Sequence, residues 1–172
     1  ARRRSPPPGP PPPPLSPRRF NSSPSKALAY AAEAGLLPAP TDPVALASIL
    51  HDLRTRKLLN LAVLGDFLSG KDELAVDTLV AFAAQIKLDN LDFVAGLREF
   101  LAHFRLPGEA QKIDRVMETF ASSYHRANPA SASLATDTLY ILAFSAIMLN
   151  TDLHNPAIKK KMTKEEYVAR NR

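Results

Sequence analysis

Apolar side chains at Leu91, Val94, Leu97, Leu101 and Phe104 recur every three or four residues, which predicts a helix with one buried face running into Arg105. Pro107 and Gly108 then interrupt it, because proline lacks an N–H and glycine admits dihedrals closed to other residues. The spacing resumes at Ala110, Ile113, Val116, Met117, Phe120 and Tyr124, so a second helix is predicted from near Glu109, with that carboxylate in its first turn. The helix dipole favours a negative charge there, and on spacing alone Glu109 reads as a helix-start residue.

The same pattern organises the rest of the chain. Ser23 with Pro24, and Asp42 with Pro43, are cap and first-turn pairs, and Gly35 closes the helix that Ser23 opens. The helix begun at Asp42 is predicted to run through Leu53; residues 58–68 form a short apolar stretch ending at Gly70, and residues 72–86 carry Leu74, Val76, Leu79, Val80, Phe82 and Ala83. Asp89 or Asn90 is the predicted cap of the helix that leads to the Pro107 turn, and Thr163 with Glu166 forms a T-x-x-E capping box for a last helix. Nothing alternates like a strand, so the expected fold class is all-α. Residues 139–149 are apolar almost throughout, which predicts a helix buried nearly all round. That run is too short to cross a bilayer, which needs about 20 apolar residues. It turns polar at Asn150, Thr151, Asp152, His154 and Asn155 before Pro156, a combination suited to docking a partner: apolar area for affinity, amides for orientation.

Composition narrows the chemistry. At 172 residues and 45% hydrophobic side chains, one domain with a sizeable core is expected. The absence of cysteine excludes a disulfide framework and thiolate metal ligation, in keeping with a reducing, cytosolic setting. No segment reads as a signal peptide or a membrane span. His51, His103, His125 and His154 do not fall at metal-ligand spacing and read as surface or helix-end residues, so no metal is expected. There is no glycine-rich phosphate loop and no G-x-S-x-G elbow, so no cofactor is expected either. The net charge of +5 arises from Arg2, Arg3, Arg4, Arg18 and Arg19. Residues 20–172 are formally neutral and lack the basic face of a nucleic-acid binder. Residues 1–19 also hold nine of the sixteen prolines and are expected to be a disordered tail. Within it Pro14, Pro17 and Arg19 fit a PxxPxR ligand for a Src-homology-three domain, although a solvated linker explains them as well.

The strings FRLPGEAQKIDR at 104–115 and AFSAIMLNTDLHNP at 143–156 resemble the two signature motifs of the Sec-seven domain, the catalytic domain of guanine nucleotide exchange factors for ARF-family small GTPases. FNSSPSKALAYAAEAGLLP at 20–38 resembles that domain's opening helix, and KMTKEEYVARNR at 161–172 its continuation, closest to the large Golgi-associated members. The resemblance covers residues 20–172 and implies an orthogonal multi-helix array. It also implies a fragment whose C-terminal helices are missing, since Tyr167 and Val168 have no following element to bury them.

In the family, the glutamate at the position of Glu109 enters the GTPase nucleotide site, opposes the β-phosphate and displaces Mg²⁺. The resemblance therefore implies an exchange catalyst that makes and breaks no covalent bond, and that meets its GTPase both GDP-bound and nucleotide-free. It implies a groove for the switch segments lined by Met148 and its apolar neighbours, with Asn155 and Asn150 on partner backbone, and with Lys112 and Asp114 holding the loop or meeting the switches. Core packing explains Met148 equally well. Ala146 departs from the bulkier aliphatic common in the family. Phe144, Ser145, Asp152 and Met162 stand where brefeldin A sensitivity is decided, against a sensitive pattern of Tyr, Ser, Asp and Met, so partial sensitivity is expected. A cytoplasmic protein recruited peripherally to Golgi or endosomal membranes is implied by the same resemblance. The competing reading is a catalytically inactive all-helical interaction scaffold, which needs no acid at the loop tip.

Overall fold

A computed structural model describes residues 14–38, 40–129 and 134–171. Among them there are helices and no strands: α1 (Pro17–Ser22), α2 (Pro24–Glu33), α3 (Pro43–Thr55), α4 (Leu61–Leu68), α5 (Glu73–Ala83), α6 (Phe93–Leu101), α7 (Ala110–Ala127), α8 (Thr136–His154) and α9 (Lys164–Arg170). The starts reflect capping chemistry. Asp42 accepts from the backbone N–H of Val44 and Ala45, Asn60 from Ala62 and Val63, and Asp92 from Ala95. Prolines occupy the first turns of α1, α2 and α3, where their missing N–H is not needed. The capping box of Thr163 and Glu166 is present at α9.

α3 packs along α5, α5 against α4 and α7, and α7 against α6 and α8. Between them lies an aromatic chain in which Phe104 stands edge-on to Phe100 at 5.5 Å and to Phe82 at 6.4 Å, and Phe100 meets Phe120 at 5.4 Å. All four rings are buried. Burying one such side chain is worth about 1.5–3 kcal/mol, so Phe104 is a firm anchor for the segment that leads to Glu109.

Several expectations change. The tail assignment does not hold at its C-terminal end, since Leu15 is fully buried and α1 begins at Pro17, while the rest of that assignment, with Arg2, Arg3 and Arg4, lies outside the described residues. Of the PxxPxR pattern, Pro17 and Arg19 are helical and not in polyproline II, and the Arg19 guanidinium lies 4.0 Å over the Tyr30 ring. α6 stops at Leu101, short of Arg105, because the next residues leave the helix to cross α4. Its cap is Asp92, not Asp89 or Asn90; Asn90 takes φ of 59° and turns the chain, its N–H donated to Asn128 Oδ1.

The largest correction concerns α8. Only Leu139 and Ala143 are buried, while Ile141, Met148 and Leu153 are 55%, 55% and 46% exposed. One side of the helix packs on α7 and the opposite side is left open, so Met148 is not a core residue. The histidines also differ from expectation. His103 is buried, stacked on half-buried His51 at 5.7 Å and edge-on to Phe82.

The crossing at α4 is a backbone contact. Arg105 donates its N–H to the Leu61 carbonyl at 2.9 Å, and a Cβ placed on Gly65 would lie 1.9 Å from the Arg105 carbonyl oxygen. Gly65→Ala is accordingly expected to cost about 2 kcal/mol in urea unfolding through overpacking, despite alanine's better helix propensity; a variant as stable as wild type would contradict the contact.

Burial lowers the His103 imidazole below its usual 6.5, against the upward pull of its bond to the Glu99 carbonyl, with Arg54 and His51 acting in the same direction as burial. The folded protein thus holds His103 neutral, so its contribution is complete above about pH 6.5 and is lost as pH falls below that value. The melting temperature of wild type should fall more steeply below pH 6.5 than that of His103→Phe; parallel curves would rule out this source.

Candidate functional site

Glu109 stands at the end of a segment that has little freedom to move. Phe104 holds it in the core, Arg105 ties it to α4, and Pro107 with Gly108 forms the turn. Gly35 is the only described glycine with positive φ, and a Cβ on Gly108 would meet nothing within 4 Å, so Gly108 is not forced by its conformation here. Glu109 is the N-cap residue of α7, one position before the first turn, and its carbonyl accepts from the N–H of Lys112 and Ile113 at 3.0 Å each. Its carboxylate makes no cap bond and is 72% exposed.

The cation nearest this carboxylate is the Lys112 ammonium at 3.2 Å, which is also bonded to Asp66 of α4. Its hydrogen bonds to Asp66 first, and then to Glu109, raise the Lys112 pKa. Two carboxylates therefore share one ammonium, and the tip keeps an excess negative charge. α7 is fixed to α4 a turn further on, where Arg115 Nε and Nη2 donate to the Ser69 carbonyl at 3.0 and 2.8 Å, while Ser69 Oγ donates to the Gly65 carbonyl at 2.7 Å.

Asp114 faces the other way. Its carboxylate accepts from the Tyr140 hydroxyl of α8, which raises the tyrosine pKa. Tyr140 lies at the edge of a groove of about 420 Å³ along the open side of α8. Asp114 is five residues beyond Glu109 on α7, roughly 8 Å of helix rise, so one helix carries the exposed acid at its start and the contact to the groove's edge about a turn and a half later.

The groove collects five of the candidates: Phe144, Ser145, Met148, Asp152 and Met162 all line it, with Ile158 and Tyr167 completing its far wall. That wall is tied to α8 by polar contacts. Ser145 Oγ and the Tyr167 hydroxyl lie 2.8 Å apart, and Asp152 Oδ2 accepts the Met162 N–H at 2.7 Å. Lys161 donates to the Asp152 and Asn155 carbonyls at 2.7 Å each, satisfying two acceptors at the C-terminus of α8. Asn155 is the C-cap, and its side-chain oxygen already accepts from Ala157 N–H at 3.0 Å; Asn150 is exposed. Ala146 packs against the core and is not part of the groove wall.

Sequence reasoning gave no site role to Gly65, Asp66, Ser69 or Tyr140, and read Tyr167 only as a side chain left unburied, whereas it lines the groove beside Ser145. A glycine inside the apolar stretch LAVLGDFL was the available signal, since such a residue usually has a packing reason. Among the described residues no group of three or more metal-ligating side chains occurs, and no helix is long and apolar enough to cross a membrane.

The family model described as Sec7 domain matches residues 17–172. The chain belongs to the Sec7 domain family. It is 44% identical over 154 residues to the human brefeldin A-inhibited guanine nucleotide-exchange protein 1, covering 89% of this chain and 8% of that protein. It therefore spans less than a tenth of that relative. Its structure is similar to that of the Sec7p catalytic domain, with a TM-score of 0.77 and 38% identity over 90% of this chain and 81% of that one. It is also similar to a Sec7 domain bound to ARF1-GDP and brefeldin A, with a TM-score of 0.78 and 32% identity over 90% of this chain and 76% of that one. The all-α architecture is that of the family, and the match begins at Pro17, where α1 begins.

Proposed function

We propose that this Sec7 domain is a guanine nucleotide exchange catalyst for an ARF-family GTPase, with Glu109 as its catalytic residue. One observation carries the reading: an uncapped, exposed carboxylate on an anchored loop begins α7, the helix whose Asp114 holds Tyr140 at the edge of an open apolar groove. The groove grips the switch segments through Phe144, Met148 and Met162, while Asn150 and Asn155 orient partner backbone. Ser145, Asp152 and Asp114 act at one remove, holding the groove walls together through Tyr167, Met162 and Tyr140.

Docking brings Glu109 to the guest's β-phosphate and its Mg²⁺ site. A carboxylate about 4 Å from a phosphate charge in a half-shielded site costs roughly 4 kcal/mol at an effective dielectric near 20, enough to loosen GDP about a thousandfold. No covalent bond changes. The protein works by holding the nucleotide-free GTPase better than the GDP-bound one. Such a domain acts at the cytoplasmic face of Golgi or endosomal membranes, recruited there peripherally.

The test is release of a fluorescent GDP analogue from an ARF GTPase. Wild type should accelerate release, and Glu109→Lys should abolish the acceleration while keeping the wild-type melting temperature. Met148→Ala should raise KM about tenfold with kcat nearly kept, as expected of a docking contact. Saturating brefeldin A should slow exchange in part, because Phe144 replaces the tyrosine hydroxyl of the sensitive pattern; an unchanged rate would refute that. Equal release with wild type and Glu109→Lys would favour the scaffold.

A further inference from the structure

We propose that Asp66 of α4 is a positioning residue for exchange: it holds the Lys112 ammonium, so that Glu109 turns to the guest phosphate with its charge uncompensated. The inference rests on the exchange reading and extends it to a residue outside both motifs.

Lys112 lies beneath two acids. Its side chain is 18% exposed, against 65% for Asp66 and 72% for Glu109. A half-sheltered ammonium needs acceptors, and with Glu109 as its sole partner it would keep that carboxylate paired. The tip would then carry no net charge, and moving Glu109 toward a phosphate would leave a bare cation behind. Asp66 removes both difficulties. It satisfies Lys112 whether or not Glu109 stays, and it leaves the cluster of two carboxylates and one ammonium with one negative charge in excess.

The spacing is not adjustable. Asp66 follows Gly65, whose surface is pressed on the Arg105 carbonyl, and α7 is clamped to α4 by Arg115 on the Ser69 carbonyl. The Arg115 guanidinium, one turn further along α7, is thus engaged by the Ser69 carbonyl. α4 therefore sets the height of the loop and the charge at its tip together.

Asp66→Asn keeps the shape and removes the charge. It should lower kcat for GDP release about fivefold, the upper range for an exposed ion pair, with KM for the GTPase unchanged. The deficit should shrink at high salt. Adding Lys112→Gln to Asp66→Asn should raise kcat above that of Asp66→Asn alone, a partial rescue that a merely structural role would not give, and Asp66→Glu should retain more activity than Asp66→Asn. A second measurement needs no GTPase: ¹⁵N NMR of the Lys112 ammonium should show it titrating at lower pH in Asp66→Asn than in wild type, because the hydrogen bond to Asp66 that holds its proton is weakened. An unmoved titration, or an Asp66→Asn enzyme with wild-type kcat, would overturn the proposal. A wild type that does not release GDP at all would instead overturn the exchange reading, and the NMR titration would then decide the Asp66 claim by itself.

Discussion

The structure depends on one close crossing, where the backbone after α6 passes over Gly65 of α4 with no room for a side chain between them. Two elements that meet at backbone distance cannot slide on a layer of adaptable side chains, because protein interiors pack like crystals and not like oil. The Arg105 N–H bond to Leu61 fixes the crossing in one direction, and Phe104, wedged beside Phe82 and Phe100, fixes it in depth. Gly108 and Glu109, a few residues further along, are exposed, so the tip inherits its position from these contacts. An acid held out in water on such a support has lost its conformational entropy before any partner arrives.

The second element of the site is a helix left half-covered. α8 buries Leu139 and Ala143 on the α7 side and turns Ile141, Met148 and Leu153 outward. Large apolar side chains in water gain by being covered, and a contiguous exposed patch of them marks a docking surface. The groove is held in shape by polar ties instead of packing: Asp152 to the Met162 N–H, Lys161 to two helix-end carbonyls, and Ser145 to Tyr167. Its walls therefore persist without an occupant, while its floor remains available to one.

Much of this was legible in the chain. Helix starts could be read from Asp42, Thr163 and the prolines because capping is local chemistry, and the acid after the Pro107 turn was visible by spacing before any family was considered. The features that escaped were decided at long range. A run as uniformly apolar as residues 139–149 has no periodicity with which to say which side is uncovered, so it read as buried all round. Leu15 looked like part of a tail because its partners lie elsewhere in the chain. His51 and His103 are far apart in sequence and stacked in space, and Asp66 is 46 residues from Lys112. Glycine at position 65 was a readable hint, but only the crossing explains it.

If the rigid loop and the open groove act together, they must favour one state of the guest over another, and that preference can be weighed without watching nucleotide leave. Calorimetric dissociation constants of this chain for one ARF GTPase, nucleotide-free and GDP-loaded, measure it directly. The nucleotide-free form should bind more tightly by about a thousandfold, the factor by which the carboxylate loosens GDP, and Glu109→Gln should bring the two values together. Equal affinity of the wild-type chain for both forms would contradict a mechanism in which a presented carboxylate expels the nucleotide.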